Sequence, residues 1–107
     1  HKTFIIMEFN SKIQRENDNI ILTLEGRLDT NSASQLDENI QPIIKNPGKS
    51  LTIVIDNLTY ISSSGLRCFV QLYNAMKAAG AEFHITGMQP AICEVFDLTG
   101  FTKVFGL

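Results

Sequence analysis

The segment Leu51 to Gly80, LTIVIDNLTYISSSGLRCFVQLYNAMKAAG, constrains the fold more than any other stretch of the chain. Leu51, Ile53, Val54 and Ile55 form an aliphatic, β-branched run of the length of a buried strand. A short polar–apolar link, Asp56 to Ile61, leads into Ser62-Ser63-Ser64-Gly65. Leu66, Phe69, Val70, Tyr73 and Met76 then recur every three or four residues, the single apolar face of an amphipathic helix. Strand, serine-rich turn, helix: this order gathers the open backbone N–H groups of a helix start around the serines. Function is expected at that turn.

The rest of the chain alternates strands and helices around this unit. Residues from Met7 to Arg15 alternate apolar and polar positions, as in a half-buried strand, and Asn17-Asp18-Asn19 supplies turn chemistry. Ile20 to Leu24 reads as the returning strand of a hairpin, closed by Gly26. Thr30-Asn31-Ser32 can start a helix, with Ser32 to Gln35 fitting a capping box, and Ala33, Leu36, Ile40 and Ile43 or Ile44 mark its apolar face. Pro42 should end or kink that helix, and Asn46-Pro47-Gly48-Lys49 turns into the central strand. Beyond Gly80, Phe83 and Ile85 mark another strand. Pro90 opens a helix with Ile92, Val95 and Phe96 on its stripe, Gly100 ends it, and Phe101 to Phe105 reads as a last strand. The order β-β-α-β-α-β-α-β predicts an α/β fold with a mixed, mostly parallel sheet packed with helices. At 107 residues, without a linker or repeat, residues 1–107 form one domain.

Composition narrows the function classes. Net charge is −2 with no basic cluster, which argues against a nucleic-acid surface. No apolar run is long enough to span a membrane, and His1 to Phe9 lacks a secretory cleavage pattern. Cys68 and Cys93 are 25 positions apart and form no C-x-x-C pair, so both are expected as buried thiols in a reducing, cytoplasmic setting. With only His1 and His84 as further ligands, no metal site and no cofactor are expected. Neither nucleotide-binding fingerprint occurs, and Ser62-Ser63-Ser64-Gly65 does not supply a G-x-S-x-G elbow. His84, alone on a strand, is read as a half-exposed sheet residue rather than a base, so no catalytic residue is assigned. One serine suffices to cap the helix. Three leave a hydroxyl free, where a partner kinase could add a phosphate that the helix start would stabilise.

The order of elements, G-R-L-D at Gly26 to Asp29 and I-S-S-S-G-L at Ile61 to Leu66 resemble the STAS domain, most closely its anti-sigma factor antagonists. The resemblance is strongest over residues 7–105 and extends through Pro90-Ala91, Val95-Phe96 and Leu98-Thr99-Gly100. It implies a non-enzymatic switch that sequesters an anti-sigma factor and so regulates transcription. The partner would be a serine kinase that phosphorylates the antagonist, with a phosphatase to reset it. By this resemblance Ser63 is the phosphoacceptor, with Ser64 the second choice. Asp29, Ser62, Ser63, Ser64, Gly65 and Leu66 would form the partner-binding surface. Ser62 stands where the family usually has aspartate, which keeps the cap and removes a charge. Two rival readings are a constitutive STAS subunit of a larger assembly or transporter, never phosphorylated, and a small serine-nucleophile enzyme.

Overall fold

A computed structural model describes residues 8–107. Two antiparallel strands, β1 (Asn10–Glu16) and β2 (Asn19–Leu28), are joined by a two-residue turn. Asn17 adopts a positive φ of 56° there, a conformation that asparagine tolerates. The chain continues through α1 (Thr30–Asn39) and α2 (Gln41–Lys45) to β3 (Ser50–Ile61), then α3 (Ser63–Ala78), β4 (Glu82–Thr86), α4 (Pro90–Thr99) and α5 (Phe101–Val104). The sheet order is β1-β2-β3-β4, antiparallel at the first pair and parallel at the other two. The fold is therefore the expected α/β domain with a mixed, mostly parallel sheet. The predicted start of the first strand at Met7 lies outside the described residues, as does most of the reading of His1 to Phe9; Glu8 and Phe9 precede the strand, which begins at Asn10.

One face of the sheet carries the core. Ile20, Leu22 and Leu24 of β2 and Leu51, Ile53 and Ile55 of β3 are at most 1% exposed, while the intervening residues are only half-buried. The buried face meets Ala33, Leu36, Ile40 and Ile43 from α1 and α2, and Phe69, Leu72 and Met76 from α3. Pro42 sits in the first turn of α2 and separates it from α1 at Ile40, as its missing donor requires.

Three expectations are corrected. The link assigned to Asp56–Ile61 belongs to β3, and Gly26 lies inside β2 rather than closing it. The cause is an irregular register between Thr23 and Arg27, which replaces the two-residue alternation of β3 by burial at every third residue, Ile55, Leu58 and Ile61. Gly26 follows this distortion at φ 89°, where a Cβ would lie 2.4 Å from the Glu8 carbonyl oxygen. The third correction concerns Phe101 to Phe105. The segment expected as a last strand is helical because Gly100 reverses the chain at φ 81° into a new turn. Phe101 and Phe105 then stack one turn apart at 5.5 Å. Phe105 also meets Tyr73, Phe83 and Phe96.

This aromatic cluster ties α4 and α5 to α3 and β4. Phe96 is fully buried and packs edge-on to Phe69 at 5.8 Å. Phe96→Ala is expected to lower the unfolding free energy by about 3–5 kcal/mol. A urea midpoint unchanged from wild type would contradict the packing described.

Candidate functional site

The parallel strands β2 and β3 finish side by side, with Leu28 paired to Ile61. The Ser62 amide donates to the Leu28 carbonyl at 2.8 Å, so both chains leave the sheet together. Each then starts a helix, and Asp29 and Ser62 become neighbouring N-caps. The sequence-predicted residues Asp29, Ser62, Ser63, Ser64, Gly65 and Leu66 are thereby brought to one end of the sheet.

At α1 the cap is Asp29 and not Ser32, a correction to the expected capping box. Because β2 runs on to Leu28, Asp29 is the first residue free to turn, and Ser32 falls at the third helical position. The Asp29 carboxylate accepts from the Ser32 amide and hydroxyl, both at 3.0 Å, and the Asp29 amide donates to the Ser32 hydroxyl at 2.9 Å. The backbone hydrogen bond from Ser32, then that from its side chain, hold the Asp29 carboxyl below its ordinary value of 3.8, against a smaller opposing effect of burial.

At α3 the Ser62 hydroxyl accepts from the Gly65 amide at 3.2 Å, and the first helical bond runs from the Leu66 amide to the Ser62 carbonyl at 2.9 Å. Ser62 is thus the cap its type predicts. Ser63, the first residue of the helix, is exposed, and Ser64 beside it is half-buried. Their amides precede the first helical acceptor and stay open. Gly65 is buried for a steric reason: a Cβ there would lie 2.7 Å from Leu28 Cγ and 3.0 Å from Ile61 Cγ1. Leu66 is 5% exposed and reaches the surface as one wall of a groove of about 350 Å³ that it shares with Ser63, Val70 and Phe101.

Two exposed cations near this end escaped the sequence reading. Arg27 lies 4.2 Å from the centre of the Tyr60 ring, a cation–π pair set by the register of β2 on β3. Nothing local could reveal it. Arg67 is one turn beyond Ser63, and that four-residue spacing was a signal available in the sequence.

The thiols divide. Cys68 is buried, and burial, with the nearby Asp37 charge, pushes it up to about 11. Cys93 is exposed, which corrects the expectation of two buried thiols; it falls on the outward side of α4, whose inward residues are Ile92 and Phe96. His84 is half-exposed on β4 and contacts Glu82 at 3.0 Å, within its own strand. Among the described residues no group of three His, Cys, Asp or Glu could hold a metal, and no helix is long and apolar enough to cross a membrane.

Two capped helix starts side by side at the carboxyl end of a four-stranded mixed sheet define the class, an α/β domain with a polar loop for its tip. The chain belongs to the STAS domain family, whose sequence pattern matches residues 10–107. An anti-sigma-B factor antagonist of Bacillus subtilis is 25% identical over 101 residues, covering 94% of this chain and 92% of the relative. An anti-sigma factor antagonist from Mycobacterium paratuberculosis has the same fold, with a TM-score of 0.82 at 19% identity over 92% of this chain and 83% of the other. The phosphorylated form of the Bacillus cell fate determinant SpoIIAA superposes with a TM-score of 0.70 at 18% identity, covering 90% and 86%.

A pH dependence follows from the Asp29 cap. Because its folded pKa is lowered, its contribution to stability is fully present above the ordinary carboxylate value and is lost as pH falls through the folded one. NMR titration should place the Asp29 midpoint below 3.8. Asp29→Asn should remove this part of the acid-limb slope, and a midpoint at or above the ordinary value would contradict the cap.

Proposed function

We propose that this STAS domain is an anti-sigma factor antagonist, a binding module switched by phosphorylation of Ser63. The observation that carries the reading is the exposure of Ser63 at the first position of α3, directly after the Ser62 cap. The names of the similar proteins support it, since the B. subtilis relative is an anti-sigma-B factor antagonist and one structural neighbour is a phosphorylated protein.

In the unmodified state the loop from Ser62 to Ser64 and the start of α1 at Asp29 form the surface that an anti-sigma factor covers. Gly65 and Leu66 serve it from beneath, Gly65 by letting α3 sit against Leu28 and Leu66 as a groove wall. The partner is a serine kinase. It transfers the γ-phosphoryl group of ATP to the Ser63 hydroxyl: a new P–O bond forms at Oγ, the bond to the ADP leaving group breaks, and the hydroxyl proton passes to a base on the kinase. A phosphatase reverses the modification by hydrolysis.

The phosphate adds about −1.5 to −2 charges at the centre of that surface. The open amides of the α3 start favour this charge, so the helix survives modification. The partner surface, fitted to a neutral hydroxyl, would have to desolvate it. That costs a few kcal/mol, or roughly a hundredfold in affinity.

Incubation with ATP and a cognate anti-sigma kinase, followed by intact mass and peptide mapping, tests the assignment. One phosphoryl group on Ser63, absent from Ser63→Ala, is expected. Modification of Ser64 alone would move the site by one residue and overturn the assignment. No modification by a kinase that binds the domain would favour the constitutive STAS subunit.

A further inference from the structure

We infer that Arg67 is the intramolecular counter-ion of the phosphorylated state, folding back along α3 to pair with phosphate on Ser63. The inference rests on the proposed switch at Ser63 and adds what holds the modified form.

Three observations meet at this residue. Arg67 lies four residues after Ser63 on α3, so the two side chains occupy one stripe of the helix surface. Side chains on a helix lean toward its N-terminus, which carries the guanidinium back over the turn that starts with Ser63. Arg67 borders a groove on either side of this stripe. Arg67 lines the groove that contains Ser63, Leu66 and Phe101, and also the groove toward α1 that contains Ser64, Thr30 and Asp37. It forms the ridge between them, directly behind the serine loop.

The charges around Arg67 leave it available. Among the described residues its guanidinium makes no ion pair, and the ion pairs present are Lys49 with Asp18 and His84 with Glu82. Asp37 is the one carboxylate lining either groove, and it already accepts from the Gln71 side chain at 2.8 Å. Facing the Ser63 groove from α4 and α5, Thr99 and Phe101 bring no charge. Arg27, a second exposed cation at this end, is stacked on Tyr60. A planar guanidinium offers paired donors matched to phosphate oxygens. Phosphorylation therefore acts twice at the helix start: it adds an anion and fixes Arg67 against it.

The test uses the full chain with phosphoserine installed at position 63 during synthesis, so that no kinase is needed. Phosphorus NMR follows the second ionisation of the phosphate in wild type, Arg67→Gln and Arg67→Lys. A nearby cation favours the dianion, so the wild-type midpoint should fall about half a pH unit below that of Arg67→Gln. Arg67→Lys should restore part of that difference, and added salt should shrink it. In the unmodified chain, wild type and Arg67→Gln should melt together, because the contact exists only with phosphate. Identical midpoints for wild type and Arg67→Gln would overturn the inference. A kinase that never modifies Ser63 would sink the switch and leave this contact untouched, so the two failures are distinguishable.

Discussion

The hydrogen bond from the Ser62 amide to the Leu28 carbonyl makes the other features of the site possible. It extends the parallel pairing of β2 and β3 to their last residues, so that two strands release their chains at one place. Each chain turns at once into a helix with a polar cap, and the two helix starts share one surface. Gly65 completes the arrangement from below. With no Cβ it allows the first turn of α3 to settle on Leu28, and any larger residue would push the serine loop off the strand ends.

The chemistry at this surface follows from which groups the fold leaves free. Asp29 stands beside the loop at the neighbouring helix start, and its side chain caps α1 while its amide is satisfied by Ser32. Ser62 is committed to the Gly65 amide. Ser63 retains an exposed hydroxyl with open amides behind it. Under the proposed function, the serine at position 62 has a further consequence. An aspartate there would cap α3 equally well but would repel a phosphate on its neighbour, whereas Ser62 caps without charge. Arg67 then meets the phosphate without a competing carboxylate on the loop.

The parts of the fold legible in the sequence were those carried by one regular period within one element. The aliphatic run at Leu51–Ile55, the three-to-four spacing of Leu66 to Met76, and the Pro42 break between α1 and α2 are all local, and the structure reproduces them. The misreadings arose where a neighbour changed the period. The second half of β3 looked like a link because the irregular pairing with β2 spaces its buried residues by three. Phe101 to Phe105 looked like a strand because phenylalanine, threonine and valine all suit one, and only the left-handed Gly100 and the aromatic cluster make it a helix. Similarly, the cap of α1 moved from Ser32 to Asp29 because β2 ends later than its own residues indicate. Within the site, the serine loop was legible from composition. The stacking of Arg27 on Tyr60 was not, since it needs the cross-strand register.

Control of binding by Ser63 is measured most directly by calorimetry of a cognate anti-sigma factor with two forms of this chain, unmodified and carrying phosphoserine at position 63. Tight binding of the unmodified form is expected, with an affinity lower by roughly a hundredfold for the phosphorylated one. Equal affinities for the two forms would contradict that control.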